Sequence, residues 1–389
     1  MAAVDLSTDY MGVRLANPVV VASAGITETV ERLRQAEDAG AGAAVMKSWF
    51  ETDLVRRSPT PRFRLLRRGL PALRSTTLYS FEQASIFDLQ RYAQEVARAK
   101  EALDMPVIAS ANCVTDEGWR EWSRAMAQAG ADALELNVSC PFGPQMLGQA
   151  VVAEEMTRVT ALVKAAVKVP AATKMTPQLA NPVAAAQAIA AAGADGLVMF
   201  NRFTGLEVDL EREAPIMHGA YAGHGGAWAL QYVLRWISAA YPHVSIPIAA
   251  SGGVTDGDDV IKLILCGAAV VETCAAVVLG GWEVVPRLLE RVRQFMEAKG
   301  YESPADFRGK VCGRILASEQ VDRRPLAVAV VDESLCTSCG QCERVCIYDA
   351  ARAGEQSYAI ARELCSGCGL CEQICPPAAI SMQPLAAGA

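Results

Sequence analysis

"AGADGLVMF", residues 192–200, is the stretch on which the fold turns. It closes the helical segment "NPVAAAQAIAAAG" (181–193) on a glycine and passes at once into an apolar run. Glycine supplies the left-handed turn that ends a helix. The same junction recurs as "AGAGAAVMK" (39–47), "AGADALELN" (129–137) and "CGAAVVET" (266–273). Working outward, eight short apolar runs emerge: "PVVVASAG" from 18, "AAVMKS" from 43, "PVIASAN" from 106 and "DALELNVSC" from 132, then "PAATKM" from 170, "DGLVMF" from 195, "IPIAAS" from 246 and "AAVVET" from 268. Helical stretches such as "ETVERLRQAEDAG", "EWSRAMAQAG" and "GDDVIKLILCG" lie between them. Near-continuous apolar strands suit a parallel sheet covered by helices. Eight strand–helix units in about 300 residues predict an α/β fold of the (β/α)₈ barrel type. The alternative is an open doubly wound sheet, but no G-x-G-x-x-G follows the first strand, so a Rossmann dinucleotide site has little support.

Composition agrees with one large α/β domain plus a small appendage in 389 residues. Apolar residues make up 52% and aromatics only 6%, so the core is built from Ala, Val, Leu and Ile. The net charge of −7, with no block of Lys or Arg, disfavours nucleic acid, whose phosphates need clustered cations. The start, "MAAVDLSTDYMGVRL", carries acidic residues and no continuous apolar segment, unlike a secretory signal. The richest apolar run, "GAAVVETCAAVVLGGW", is short and contains Glu272, so no membrane span is expected. A cytoplasmic protein is the expectation, and there 13 cysteines point to metal binding before disulfides.

In such a barrel the chemistry sits where the strands end. The residues there are Ser23, Lys47, Asn112, Asn137 to Cys140, Lys174, Asn201, Ser251 to Gly253 and Thr273 to Ala275. Taken singly, each is an ordinary loop residue. As a set, two lysines, three asparagines and a cysteine converging on one mouth are too polar for simple strand exits. "IAASGGVTDGDD" (248–259) adds a Gly-rich turn followed directly by a helix, the combination that holds phosphate after the seventh strand of barrels.

"NPVVVASAG", "VMKS", "NVSCP", "TKMTP", "SGGV" and "ETCAAV" together resemble the FMN barrel of the dihydroorotate and dihydropyrimidine dehydrogenases, over roughly residues 5 to 300. The resemblance implies FMN at the mouth, with Ser23, Asn112 and Gly226 among its contacts. It places Lys47 and Lys174 against the ring, and Gly252, Gly253 and the Cys274–Ala275 turn at the phosphate. It makes Cys140, on the loop "PFGPQMLGQ", the acid/base opposite the flavin, and gives Asn137, Asn201 and Arg202 to the substrate. A thiol can supply the proton that accompanies hydride transfer between paired carbons. The bland reading of a free cysteine is a buried structural one, which suits Cys113, Cys266, Cys274 and Cys312. Two departures touch the substrate pocket. "FNRFTGL" (200–206) sets Arg202 where the dihydropyrimidine dehydrogenases carry a small hydroxyl residue, and "SANCVTDEGW" (110–119) is one residue shorter than their counterpart. Arg202 has two readings: it pairs with an anionic or carbonyl group of the substrate, or with Glu207 or Asp209 in its own loop.

The tail repeats C-x₂-C-x₂-C-x₃-C, as "CTSCGQCERVC" (336–346) and "CSGCGLCEQICPP" (365–377). Zinc usually takes separated C-x₂-C pairs, so this spacing favours iron–sulfur cubanes. In such tails three cysteines of one run and the last of the other hold each cluster. Cys336, Cys339, Cys342 and Cys375 are expected to hold one [4Fe–4S], and Cys365, Cys368, Cys371 and Cys346 the second. Ile347 stands where a proline usually follows the fourth cysteine, and Pro376 keeps it after the last. The expected boundaries are a barrel over 1–310, a linker over 311–333 and a ferredoxin-like domain over 334–384.

The expected function is an FMN- and iron–sulfur-dependent oxidoreductase acting on a C–C/C=C bond of a small, possibly cyclic substrate. Its electron partner would be an NAD(P)H-linked flavoprotein or a ferredoxin, in a homodimer or hetero-oligomer. A rival keeps the cofactors and changes the substrate to an anionic or aromatic-derived one read by Arg202. A second rival is an electron-transfer subunit with a silent barrel.

Overall fold

The computed structural model describes residues 4–52, 63–68, 75–82, 84–138, 152–216, 218–219, 221–322 and 327–385. The chain divides into two compact units, Met1–Ile315 and Leu316–Ala389.

In the first unit the eight apolar runs are strands β1 (Val19–Val21), β2 (Ala43–Val45), β3 (Val107–Asn112), β4 (Ala133–Leu136), β5 (Ala171–Met175), β6 (Gly196–Met199), β7 (Ile248–Ser251) and β8 (Val270–Thr273). Each pairs in parallel with the next, and β8 pairs with β1, which closes the barrel. The covering helices are α1 (Val30–Asp38), α2 (Leu89–Ala102), α3 (Asp116–Gln128), α4 (Val152–Ala166), α5 (Pro182–Ala191), α6 (Leu230–Ala240), α7 (Gly257–Leu265) and α8 (Val284–Lys299).

The repeated junction explains itself. Gly40, Gly130, Gly193 and Gly267 all have positive φ, from 81° to 116°, as a left-handed helix end requires. The aspartates of the two "AGAD" copies then act alike. Asp132 Oδ2 accepts the N–H of Val107 at 2.7 Å and binds Lys100 at 2.6 Å. Asp195 Oδ2 accepts the N–H of Ala171 at 2.8 Å and binds Lys164 at 2.6 Å. Each carboxylate thus ties the first residue of the preceding strand to the helix beside it, and satisfies an N–H that the sheet leaves over.

Side chains alternate along the strands. Val19, Val21, Ala44, Val107, Ala109, Leu134 and Val271 pack outward in the large core beneath the helices. Val20, Ala43, Val45, Ile108, Ala133, Ala172, Val198, Ala249 and Val270 pack inward in a second core. That inner core includes Tyr10, Met11 and Leu15 from an antiparallel hairpin, Thr8–Tyr10 with Val13–Leu15. The hairpin was not foreseen. It stoppers the barrel, and Tyr10 donates its hydroxyl to Leu197 O at 3.1 Å.

A four-stranded antiparallel sheet is the other addition: Phe203–Gly205, Ala222–Gly225, Ser75–Ser80 and Phe63–Arg68, in that order. It joins the insertion after β2 to the insertion after β6. Both are loops following strands, so this sheet belongs to the C-terminal end of the barrel.

The second unit has two antiparallel pairs, Ala327–Val331 with Ile380–Pro384 and Ala351–Ala353 with Tyr358–Ile360. Two short helices, Gln341–Val345 and Leu370–Ile374, each begin after a left-handed glycine, Gly340 and Gly369. The stretch 311–333, expected as a linker, therefore holds the first strand of this unit, because "AVAVV" finds its partner more than fifty residues later.

Candidate functional site

Period-two alternation carries straight into the mouth. Lys47 continues the inward line of Ala43 and Val45, Asn112 that of Ile108 and Ser110, and Asn137 that of Ala133 and Glu135. The expected residues meet through hydrogen bonds. Asn201 Nδ2 donates to Asn137 Oδ1 at 2.9 Å, and Asn112 Nδ2 donates to Asn137 O at 2.7 Å. Asn137 Nδ2 donates to Ser48 Oγ at 3.2 Å, and Ser48 Oγ lies 3.0 Å from Ser23 Oγ. Five strands thus contribute to one network. Lys47 is buried with its ammonium 4.5 Å from the Phe50 ring centroid and within reach of Ala84 O at 3.5 Å.

Lys174 sits deeper. Its ammonium donates to Glu272 Oε2 at 2.9 Å and to Glu135 Oε1 at 3.2 Å, and all three side chains are almost wholly buried. Two carboxyls against one ammonium, away from water, cannot both keep full charge cheaply. Burial, and then Glu272 beside it, push the Glu135 carboxyl up to about 8 despite Lys174. Sequence reasoning passed over Glu135, Ser48 and Ser110, and noticed Glu272 only as an obstacle to a membrane span. The signal was available: Ser110, Glu135 and Glu272 each stand two residues before an expected mouth residue.

Arg202 follows β6. Its Nη1 donates to Ser80 Oγ at 2.5 Å and approaches Ser80 O at 3.4 Å, on the added sheet. Asp209 instead accepts the N–H groups of Glu211 and Arg212 and pairs with the Arg212 side chain. Arg202 lies flat against Gly223, where any Cβ would come within 2.2 Å of its Nε. Glu82, also buried, accepts the N–H of Gly25 at 3.2 Å.

On the far side, Gly252 and Gly253 have φ of +116° and +82°, and a Cβ on Gly253 would meet Leu230 N at 2.4 Å. Cys274 and Ala275 follow β8 directly, and the adjacent Thr273 Oγ1 is buried with no hydrogen-bond partner. Burial first, and then Glu82, push the Cys274 thiol up to about 12. Gly226 follows the strand Ala222–Gly225 with extended backbone and packs where a Cβ would meet Thr76 O at 2.4 Å. Cys140 and the loop 141–149 lie outside the described residues.

In the tail, one cavity is lined by Cys336, Cys339, Cys342 and Cys375, with Val331 and Ile380 behind them. Those are three thiols of the first run and the last of the second. The two runs are related in detail: Ala350 N–H reaches Cys346 Sγ and Ala379 N–H reaches Cys375 Sγ, both at 3.3 Å.

Comparison with known proteins now adds to this geometry. The profile of the family "Dihydroorotate dehydrogenase" matches residues 5–296, and that of the "4Fe-4S binding domain" matches 329–352 and 358–381. The chain is 26% identical over 373 residues to the NAD-dependent dihydropyrimidine dehydrogenase subunit PreA of Escherichia coli (strain K12), covering 91% of this chain and 88% of that one. It is 29% identical to the dihydroorotate dehydrogenase B (NAD(+)) catalytic subunit of Methanothermobacter thermautotrophicus, covering 78% of this chain and 97% of that one. With the counterpart from Methanosarcina mazei the identity is 30%, over 77% and 92% of the two chains. Among the described residues no helix is long and apolar enough to cross a membrane. A closed parallel barrel with its polar residues at the strand ends, followed by a 4Fe-4S binding domain, is an oxidoreductase architecture, and the chain belongs to the dihydroorotate dehydrogenase family.

Proposed function

We propose that this oxidoreductase binds FMN at the barrel mouth and interconverts a C–C and a C=C bond of a small polar substrate. The observation that carries the reading is the single hydrogen-bonded network of Ser23, Asn112, Asn137 and Asn201 beside the two buried lysines. The site suits FMN. Cations and amide donors face the barrel axis, two left-handed glycines follow β7, and the Thr273 hydroxyl next to the β8 turn is buried without a partner. Bound FMN supplies hydride transfer on one side and single-electron exchange on the other. Lys47 and Lys174 hold its ring, and Gly252, Gly253 and the Cys274–Ala275 turn its phosphate, with Gly226 close by. Asn137 and Asn201 orient polar groups of the substrate. Cys140 moves the proton at the carbon next to the one that exchanges hydride.

The cysteine sets 336, 339, 342, 375 and 365, 368, 371, 346 hold one [4Fe–4S] cluster each, which supplies one-electron carriers. Two relatives are named as subunits of NAD-linked enzymes, which supports an electron partner of the NAD(P)H-linked flavoprotein class and a hetero-oligomer. The network and Cys140 argue against a silent barrel. Arg202 favours a second reading of the substrate. Fixed through Ser80, it presents a guanidinium at the mouth, which suits a carboxylate-bearing compound as well as a neutral pyrimidine.

The test is an anaerobic titration of the purified yellow-brown protein with uracil, thymine, orotate and their dihydro forms. Bleaching or reoxidation of the flavin by one of them is the expected result. A protein that purifies without flavin and cannot be loaded with FMN sinks the proposal.

A further inference from the structure

A chain of hydroxyls leads inward from the mouth. Ser23 Oγ lies 3.0 Å from Ser48 Oγ, Ser48 Oγ lies 2.8 Å from Ser110 Oγ, and Ser110 Oγ donates to Glu135 Oε1 at 3.3 Å. Ser23 is partly open, whereas Ser48, Ser110 and Glu135 are at most 3% exposed. Serine hydroxyls both donate and accept, so the chain can run in either direction. Its other contacts permit both. Ser48 N–H donates to Ser23 Oγ and Asn137 Nδ2 to Ser48 Oγ, and each uses only a lone pair.

We infer that Glu135 is a proton store of the site and that Ser110, Ser48 and Ser23 are the relay joining it to the barrel mouth. The inference rests on the function proposed above and adds the route by which a proton enters or leaves the buried side. In the outward direction the Glu135 carboxyl gives its proton to Ser110, Ser110 gives its own to Ser48, Ser48 gives its own to Ser23, and Ser23, partly open to solvent, gives its own to water at the mouth. At each step one O–H bond breaks and one forms. One proton has then moved to the mouth, and the carboxylate left behind faces the Lys174 ammonium at 3.2 Å.

The groups around Glu135 set its affinity. Burial, and then Glu272 from β8, favour the protonated form, Lys174 from β5 opposes them, and Tyr10 from the hairpin and Tyr92 from α2 stand close enough to feel its charge. Tyr92 also donates its hydroxyl to Ser110 O at 3.0 Å, which fixes the strand that carries the relay. Ser23, Ser48 and Ser110 act through Glu135 and are positioning residues.

The experiment is infrared spectroscopy of the purified full chain across pH, reading the carbonyl band of a protonated, buried carboxyl. The band should be present at pH 6, fade as pH rises through about 8, and be missing in Glu135→Gln. Glu272→Gln removes a like charge, so the fading should move to lower pH. It also keeps the assignment testable should Glu135→Gln fail to fold. After a rapid pH jump, Ser48→Ala should slow the change of the band by roughly tenfold or more. The inference is overturned by a wild-type spectrum without such a band, by one unmoved in Glu272→Gln, or by a Ser48→Ala response as fast as wild type. The band does not depend on flavin. A protein that shows it yet cannot be loaded with FMN retires the proposed function and leaves the proton store standing.

Discussion

Replacing Lys174 by methionine tests the buried trio directly. The ammonium holds two carboxyls, at 2.9 Å and 3.2 Å, and all three groups are out of water. A buried ion pair contributes little net stability, because desolvation offsets most of the attraction. What matters is the charge left over when one partner goes. Glu135, pushed up to about 8, already carries a proton at pH 7. Lys174→Met therefore leaves one further carboxyl, Glu272, without its cation. The cheapest remedy is to protonate it. For a carboxyl of ordinary pKa, about 4.3, this costs about 3.7 kcal/mol at pH 7 and about 1 kcal/mol at pH 5. The sign follows from linkage. The variant's folded state retains a proton that the unfolded chain releases, so its stability falls as pH rises above about 4.3. Urea denaturation at the two pH values, each against wild type, reads the difference. All six tryptophans precede residue 316, so tryptophan fluorescence reports the barrel unit alone. The double variant Lys174→Met, Glu272→Gln carries no orphan charge and should recover most of the loss at pH 7. An equal loss at both pH values, or a double variant no better than the single one, would refute the reasoning.

Cys140→Ala should keep FMN and iron while turnover falls by roughly 10² to 10⁴, the usual share of a positioned acid/base, whereas unchanged activity at the pH optimum would make the thiol structural. Cys339→Ala should lose one cluster, measured as iron and acid-labile sulfide, and stop turnover with an electron partner while substrate still bleaches the flavin in a single turnover. If the bleaching disappears too, the tail is needed for the barrel itself. Arg202→Lys keeps the charge but loses the planar guanidinium whose Nη1 meets Ser80, so kcat/KM should fall about tenfold, or about 1.4 kcal/mol. Wild-type efficiency in that variant would remove Arg202 from substrate recognition.

The sequence by itself determined the barrel and the tail, because both are written in local patterns. A glycine that must be left-handed before each of four strands, and apolar runs of strand length, report on neighbours only a few residues away. The cysteine runs are equally local, since the first three cysteines of each run fall within seven residues. The same spacing gives the expectation of a crossed fourth cysteine, and Cys375 lines one cavity together with Cys336, Cys339 and Cys342. The polar strand ends were legible as a set because every strand of a parallel barrel points the same way.

What only the tertiary structure decided are pairings between distant segments. Arg202 and Ser80 are 122 residues apart and meet because two loop insertions build one antiparallel sheet. Lys174 and Glu272 are 98 residues apart and meet because the barrel closes and turns both side chains to its axis. Glu135 reads in the sequence as one polar residue in an apolar strand, with nothing to show that a second carboxyl shares its cation. Its proton affinity is a property of that enclosure. Burial and a like charge across the barrel raise it, and neither exists until the eighth strand pairs with the first.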